Sequence, residues 1–211
     1  MTPAELAERL RLVVITDREL ARPRRVEDVA AEAVLAGARA VQLRNKGDGA
    51  RELLQVGRTL RALTSAAGAL LFVNDRLDVA LAIEADGVHL GPDDLPVGPA
   101  RRVVPEGFLI GCSADEADVA AGLVRQGADY VGCGSVYATT TKADAGRVIG
   151  LEGLERVARE VRVPVVGIGG ITPARAAEVA LTGASGVAVV GAVMGAADVS
   201  EAVRTLLAPW R

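Results

Sequence analysis

The chain has 211 residues, of which 50% are hydrophobic, so it is long enough to bury a full core. A formal net charge of -3 argues against a nucleic-acid surface, because such a surface needs a clustered excess of Lys and Arg. No apolar run reaches the roughly 18 residues of a membrane span, and two cysteines support neither a disulfide framework nor a zinc site, so we expect a cytoplasmic protein without membrane or nucleic-acid partners.

Short apolar runs recur along the chain, and each is followed within two residues by Gly, a charge, an amide or a hydroxyl. The runs are Leu12–Ile15, Ala40–Leu43, Leu70–Val73, Gly87–Leu90, Phe108–Gly111, Asp129–Gly132, Pro164–Ile168 and Gly186–Val190. Strands that are apolar throughout are buried on both faces, so these runs indicate parallel strands covered by helices.

Helices are predicted before the first run and between consecutive runs. Thr2-Pro3-Ala4-Glu5 has the pattern of a capping box, which predicts a short N-terminal helix to about Leu10. Further helices are predicted over 26–37, 49–67, 76–84, 115–126, 150–161, 173–182 and 198–208. The proline-rich segment 93–107 leaves room for one or two helical turns.

Eight strand–helix repeats at roughly 25–30-residue intervals indicate a (β/α)8 TIM barrel. No linker divides the chain, so we interpret residues 1–211 as one domain. A doubly wound open sheet is the alternative, but no Gly-x-Gly-x-x-Gly motif follows the first strand. In a parallel barrel the carboxyl ends of the strands build the site, so the polar residues after the runs should converge on one rim.

Carboxylates follow the third and fourth predicted strands, at Asn74-Asp75 and at Asp93-Asp94. Neighbouring strand ends would bring these oxygens together, and carboxylate and carbonyl oxygens are the ligands that Mg²⁺ prefers. Alternatively, Asp75 caps a helix that begins at Arg76. Spacing alone leaves both interpretations open.

The second predicted strand ends in Gln42-Leu43-Arg44-Asn45-Lys46, which carries two cations and two amides. Gln42 and Arg44 lie on the same side of a strand, toward the barrel axis if Leu43 faces the helices. An inward Arg44 needs an anion to offset its desolvation, and phosphate or pyrophosphate suits its guanidinium. A solvated loop is the plainer interpretation of this segment, and it fits Lys46 but fits Arg44 poorly.

Two further segments suggest phosphate binding. The long segment 134–149 contains Thr139-Thr140-Thr141-Lys142, whose hydroxyls and ammonium could cradle a phosphate, although an exposed loop is the commoner outcome for such a sequence. Gly169-Gly170 and Val190-Gly191 match the last two loops of phosphate-binding barrels, where backbone amides face the anion. Glycine in a tight turn is the plainer reading, and both can hold together.

His89 is the only histidine and lies within the fourth predicted strand. A buried, hydrogen-bonded histidine is expected there rather than a general base. No Ser-His-Asp set or histidine-rich metal site is present, so the predicted chemistry relies on cations, carboxylates and a metal.

Taken together, these motifs resemble the thiamine phosphate synthase family. They are Val14-Ile15-Thr16-Asp17, Gln42-Leu43-Arg44-x-Lys46, Asn74-Asp75, Asp86-Gly87-Val88-His89-Leu90-Gly91-x-x-Asp94, Gly111-x-Ser113, Asp129-Tyr130-x-Gly132-x-Gly134, Thr139-x-Thr141-Lys142, Gly167-Ile168-Gly169-Gly170-Ile171 and Gly186–Val190. The resemblance implies a transferase that joins a hydroxymethylpyrimidine diphosphate to a thiazole phosphate and releases pyrophosphate with the help of Mg²⁺.

The resemblance also implies roles for individual residues. The pyrimidine diphosphate would be held by Gln42, Leu43, Arg44, Asn45, Lys46, Asn74, Ser113 and Lys142, of which Arg44, Lys46, Ser113 and Lys142 would be catalytic. The thiazole phosphate would be held by Thr139, Thr140, Thr141, Gly170, Val190 and Gly191. Asp75 and Asp94 would bind Mg²⁺.

The chain departs from the family pattern at several positions without losing a proposed cation or metal ligand. The family has Ser where Gly191 stands, and the other departures are Asn45, Pro92, Asp115, Ser135 and Ala138. A thiazole tautomerase that resembles the synthase is the alternative function, but it lacks much of the diphosphate-binding set and uses a histidine for proton transfer. The expected partners are small-molecule substrates, and a homo-oligomer is compatible with the sequence.

Overall fold

Eight parallel strands form a closed barrel in the computed structural model, which describes residues 1–45, 47–139 and 147–211. The strands are β1 (Leu12–Ile15), β2 (Ala40–Leu43), β3 (Leu70–Asn74), β4 (Gly87–Leu90), β5 (Leu109–Ser113), β6 (Tyr130–Cys133), β7 (Val165–Ile168) and β8 (Gly186–Val189). Each strand pairs with its neighbours in the sequence, and β1 pairs with β8, where Val13 lies opposite Ala188. The predicted (β/α)8 barrel is confirmed, and the open-sheet alternative is wrong.

Helices surround the barrel in the described part of the chain. They are α1 (Pro3–Arg9), α2 (Arg18–Ala21), α3 (Val26–Leu35), α4 (Ala50–Ala67), α5 (Leu77–Ala82), α6 (Val97–Val103), α7 (Ala117–Arg125), α8 (Gly150–Glu160), α9 (Ala176–Ala180), α10 (Gly191–Met194) and α11 (Val199–Leu207). Short 3-10 turns cover Pro173–Arg175 and Ala208–Trp210. None of these helices is long and apolar enough to cross a membrane.

The ends of several helices follow from side-chain capping. The capping box of α1 is confirmed, since the Thr2 backbone N–H donates to the Glu5 carboxylate at 2.7 Å and the Thr2 side chain accepts from the Glu5 N–H. Helix α2 was not predicted, because four residues are too few for a hydrophobic period. Asp17 caps it by accepting from two backbone N–H groups at 3.1 Å each.

Apolar residues are divided between the inside of the barrel and the layer between the sheet and the helices. The inner cluster is formed by Leu6, Leu10, Val13, Ile15, Ala40, Leu70, Phe72, Leu109, Tyr130, Val166 and Ala188. Leu6 and Leu10 come from α1 and the residue after it, so the N-terminal helix packs against the barrel interior. The larger outer cluster holds the alternate strand residues, such as Val41 and Leu43, against the helices.

Two aspartates that precede strands play the same structural role. The Asp86 carboxylate accepts from the Leu71 backbone N–H and from Arg61, both at 2.8 Å. The Asp129 carboxylate accepts from the Ile110 backbone N–H at 2.7 Å and pairs with Arg101. The two carboxylates lie at the amino ends of β4 and β6, at the end of the barrel opposite the carboxyl rim. Each one ties its strand to the preceding strand in the sheet.

Replacing Gly111 with Ala should destabilise the fold, because a Cβ there would overlap the Tyr130 ring and hydroxyl. Overpacking of this kind costs about 1–3 kcal/mol. Gly122→Ala is the matched control, since a Cβ in the middle of α7 meets its nearest atom, on Arg125, at 3.8 Å and should stabilise the helix by about 1 kcal/mol. Urea unfolding of both variants checks this, and equal stabilities would contradict it.

Candidate active site

Two adjoining cavities open at the carboxyl end of the barrel. The larger, here called the central cavity, has a volume of about 730 Å³ and reaches from Val13 and Val166 inside the barrel to Gly170 and Gly191 at the rim. The smaller, here called the acidic cavity, measures about 390 Å³. Four residues line both cavities, and they are Arg44, Asn74, His89 and Ser113.

The described residues predicted to form the site are brought together at this rim. Gln42, Arg44, Asn74, Ser113, Thr139, Gly170, Val190 and Gly191 line the central cavity. Leu43, Arg44, Asn45, Asn74, Asp75, Asp94 and Ser113 line the acidic cavity. Lys46, Thr140, Thr141 and Lys142 lie outside the described residues.

Arg44 stands where the two cavities meet. Its backbone N–H donates to the Thr16 hydroxyl at 2.8 Å, which ties the end of β2 to the end of β1. Its side-chain Nη2 is buried and has no hydrogen-bond partner among the described residues. A buried guanidinium nitrogen without a partner is costly, so this group is suited to an anion in the cavity.

Asp75 does not cap the helix that follows it. The N-terminal cap of α5 is Arg76, which makes no side-chain capping bond, so the capping alternative for Asp75 is wrong. Asp75 has a φ of 63°, in the left-handed region that non-glycine residues visit rarely. Its side chain lines the acidic cavity instead.

Asp94 lies in the loop after β4 and lines the acidic cavity. One oxygen of its carboxylate accepts from the Gly91 backbone N–H at 2.7 Å, which fixes the group in the loop. Among the described residues no three His, Cys, Asp or Glu side chains are grouped so as to hold a metal. A cation here would therefore use the two carboxylates together with oxygens from water or substrate.

A chain of polar side chains crosses the floor of the central cavity. His89 contacts the Tyr130 hydroxyl through Nδ1 and the Ser113 hydroxyl through Nε2, both at 3.0 Å. Gln42 lines the same cavity as these three residues. His89 thus has a partner at each ring nitrogen, as predicted, although it is half-buried rather than buried.

Tyr130 was missed by sequence reasoning. It is 2% exposed and lies inside the barrel, and burial raises the pKa of its phenol, so the hydroxyl keeps its proton. The available signal was a lone hydroxyl in an otherwise apolar predicted strand. Buried tyrosines usually find a hydrogen-bond partner, and that partner could have been sought in the only histidine.

The Gly169–Gly170 turn packs directly on the segment that follows β6. Gly170 has a φ of 62°, and a Cβ there would lie 2.6 Å from the Ala138 carbonyl oxygen, so glycine is required. Tyr137 donates its backbone N–H to the Gly169 carbonyl at 3.0 Å. The predicted glycine loop therefore forms part of the cavity wall, where its backbone lies in close contact with the backbone of Tyr137 and Ala138.

Arg175 is a second residue that sequence reasoning missed. It lines the central cavity, donates to the Gly170 carbonyl at 2.8 Å and lies over the Tyr137 ring with its guanidinium carbon 4.3 Å from the centroid. The Tyr137 hydroxyl in turn donates to Glu178 at 2.8 Å. A cation is thereby held beside the glycine turn.

The two cysteines have no reactive role in this arrangement. Burial raises the pKa of Cys112 and of Cys133 to about 12, so both thiols stay protonated at neutral pH. They pack as small apolar side chains in β5 and β6, as expected.

Fold and site together define a class: a (β/α)8 enzyme whose carboxyl rim gathers anion-binding and carboxylate groups. The family model described as thiamine monophosphate synthase matches residues 12–193. The chain belongs to this family, so it is a transferase of the kind that forms thiamine phosphate, and the resemblance seen in the sequence is confirmed.

Individual relatives agree with this assignment. The chain is 50% identical over 201 residues to the thiamine-phosphate synthase of Pyrococcus furiosus, with 95% of each chain covered. It is 49% identical over 195 residues to that of Moorella thermoacetica, covering 92% of this chain and 93% of the relative. The solved structure of a thiamine phosphate pyrophosphorylase from Pyrococcus furiosus superposes with a TM-score of 0.88 at 48% identity, with 95% of each chain covered.

Arg44→Met should stabilise the ligand-free protein by about 1 kcal/mol, because it removes a buried nitrogen without a described partner. The same variant should lose most of the thermal stabilisation that added pyrophosphate gives the wild type. Arg101→Met is the control: its guanidinium is fully engaged with Gly127, Phe108 and Asp129, so its loss should cost about 2 kcal/mol. Thermal melts with and without pyrophosphate measure both effects, and destabilisation by Arg44→Met would contradict the assignment.

Proposed function

We propose that the chain condenses 4-amino-2-methyl-5-hydroxymethylpyrimidine diphosphate with 4-methyl-5-(2-hydroxyethyl)thiazole phosphate, and that Mg²⁺ assists the departure of pyrophosphate. The observation that carries this proposal is Arg44 Nη2, buried and without a described partner where the acidic and central cavities meet. The diphosphate would occupy that junction, and the two rings would occupy the central cavity.

The donor set of the acidic cavity fits Mg²⁺. Asp75 and Asp94 follow neighbouring strands and supply carboxylate oxygens, and Asn74 can add a carbonyl oxygen. When bound, Mg²⁺ would offset negative charge on the diphosphate oxygens. The left-handed conformation of Asp75 agrees with a functional role, since such strain is found preferentially at active sites.

The protein's own groups would act on the bond that breaks. The carbon–oxygen bond between the pyrimidine methylene and the diphosphate cleaves, and its electron pair leaves on oxygen. Arg44 and Ser113 lie where they can stabilise that growing charge, together with Lys46 and Lys142 from outside the described residues. The thiazole nitrogen then donates its lone pair to the methylene carbon, so no general base is needed.

Exclusion of water follows from the lining of the central cavity. A methylene cation would react with water as readily as with the thiazole nitrogen, so the reacting centre must be dry. The cavity floor is lined by the apolar side chains Val13, Ile15, Val166, Ile168 and Ala188. A volume of about 730 Å³ suits two small rings side by side.

The thiazole phosphate would lie at the far side of the central cavity. Thr139, Gly170, Val190 and Gly191 line that side and offer a hydroxyl and backbone groups, and Thr140 and Thr141 are assigned to the same subsite from sequence. Arg175 supplies a cation there that the sequence assignment lacked. This separation keeps the two anions at opposite sides of the reacting atoms.

Release of pyrophosphate from the two substrates, measured with and without Mg²⁺, tests the proposal. We expect release only when both substrates and the metal are present. Release that is independent of Mg²⁺ would refute the metal assignment, and isomerisation of a thiazole without pyrophosphate release would favour the tautomerase. Relatives with about 50% identity carry the synthase name, which favours the first outcome.

Three further expectations from the sequence are proposed together with this function. They are a single domain over residues 1–211, a location in the cytoplasm and assembly as a homo-oligomer.

Asp75→Asn and Asp94→Asn should each raise the Mg²⁺ concentration needed for half-maximal turnover at least about tenfold, because each removes a charged ligand of the few available. Asp118→Asn is the control, since this exposed carboxylate in the first turn of α7 lines neither cavity. Magnesium titrations of the initial rate check the three variants. A normal requirement in either of the first two would remove that residue from the metal site.

Gly191→Ser should tighten binding of the thiazole phosphate several-fold, since a new hydrogen bond contributes about 0.5–1.5 kcal/mol. Gly191 is the first residue of α10 and is not among the glycines with positive φ, so a side chain introduces no backbone strain there. Calorimetric titration of each substrate measures the change. Equal tightening for the pyrimidine diphosphate would show that the two subsites are assigned wrongly.

A further inference from the structure

Three polar side chains from three different strands form a continuous hydrogen-bonded chain inside the barrel. The Tyr130 hydroxyl on β6 bonds His89 Nδ1 on β4, and His89 Nε2 bonds the Ser113 hydroxyl on β5, both at 3.0 Å. All three line the central cavity, whose floor is otherwise largely apolar. The Ser113 end of the chain, like His89, also lines the acidic cavity.

The barrel is built to accommodate the two rings of this chain. A Cβ on Gly111 would overlap the Tyr130 ring, and a Cβ on Gly132 would lie 2.9 Å from His89 Cε1. Phe72 packs edge-on against Tyr130 with the ring centroids 5.2 Å apart. Two strand positions thus lack side chains where the rings of Tyr130 and His89 need the space.

The burial of Tyr130 sets the direction of these hydrogen bonds. Burial raises the pKa of its phenol, so the hydroxyl keeps its proton, and among the described residues its hydrogen-bond partner is His89 Nδ1 at 3.0 Å. A buried phenolic proton needs an acceptor, so it points at Nδ1, and a neutral imidazole then carries its own proton on Nε2. That N–H donates to Ser113 Oγ, and the Ser113 proton is left to point at another acceptor in the cavity.

We propose that Tyr130 and His89 hold the Ser113 hydroxyl as a hydrogen-bond donor toward the departing diphosphate. Tyr130 and His89 are positioning residues, because they act through Ser113 rather than on the reacting atoms. No proton is transferred along the chain, and each hydrogen-bond donor only orients the next group. The proposal rests on the proposed function in one respect, which is the diphosphate as the acceptor of the Ser113 hydrogen bond.

The opposite tautomer would reverse the effect. With the proton on His89 Nδ1, the Tyr130 oxygen would accept it, and the bare Nε2 would accept the Ser113 proton. The hydroxyl would then present a lone pair to the diphosphate, which repels a negative oxygen. The Tyr130 proton is therefore what makes Ser113 a donor.

The tautomer can be measured directly, because His89 is the only histidine of the chain. Protein labelled with ¹⁵N-histidine gives one pair of ring nitrogen resonances, without any substrate bound. We expect a protonated Nε2 and an unprotonated Nδ1 in the wild type. Tyr130→Phe should abolish this preference, whereas Tyr137→Phe, the other tyrosine, should leave the spectrum unchanged, since its hydroxyl bonds Glu178.

Kinetics test whether the chain acts through Ser113. Tyr130→Phe should lower kcat about tenfold and leave the KM of the thiazole phosphate unchanged, because only the leaving-group contact is affected. In a Ser113→Ala background the same substitution should have no further effect, since the group that it orients is gone.

Each outcome separates the donor chain from the proposed function. A protonated Nδ1 in the wild type overturns the proposed direction, even if Tyr130→Phe does not fold. A further tenfold loss in the Ser113→Ala background overturns the positioning role, because Tyr130 would then act independently of Ser113. Failure of the wild type to release pyrophosphate, with Nε2 protonated, refutes the diphosphate as acceptor and with it the proposed function.

Discussion

Pairing between β1 and β8 closes the sheet, and the placement of every site residue depends on that closure. A parallel barrel has no edge strands, so all eight carboxyl ends meet at one rim. Residues as distant in sequence as Arg44 and Gly191 therefore line the same cavity. At the amino end of the barrel, Asp86 and Asp129 hydrogen-bond the backbone of the neighbouring strands. These structural contacts lie away from the carboxyl rim, where the candidate binding groups are.

The strands were predictable because burial on both faces leaves an unmistakable apolar run. The short helices were not, since α2 and α10 have four residues each and depend on local capping and strand ends rather than on a hydrophobic period. The predicted helix over 173–182 is divided into a 3-10 turn and α9. Pro173 begins this segment, and the first turn tightens before the helix proper.

The candidate site was predictable where a polar residue ends or directly follows a strand, as at Arg44, Asn74 and Asp75. Tyr130 at the start of β6 and Arg175 in a helical segment were not. Tyr130 looked like an apolar strand residue, and its role depends on a partner 41 positions away in the chain. Arg175 lies within a helical segment, and it is held at the cavity by contacts with the Tyr137 ring and the Gly170 carbonyl, which no obvious sequence pattern indicates.

The helix α1 has a consequence for the fidelity of the reaction. Leu6 and Leu10 belong to the cluster inside the barrel, so the amino-terminal segment helps to fill the interior below the cavity. In the proposed reaction, solvent would then reach the reacting centre across the carboxyl rim, where the substrates would bind. The partition of a short-lived cation between coupling and hydrolysis would therefore depend partly on a segment outside both proposed subsites, and the yield per diphosphate consumed would be a property of the whole barrel.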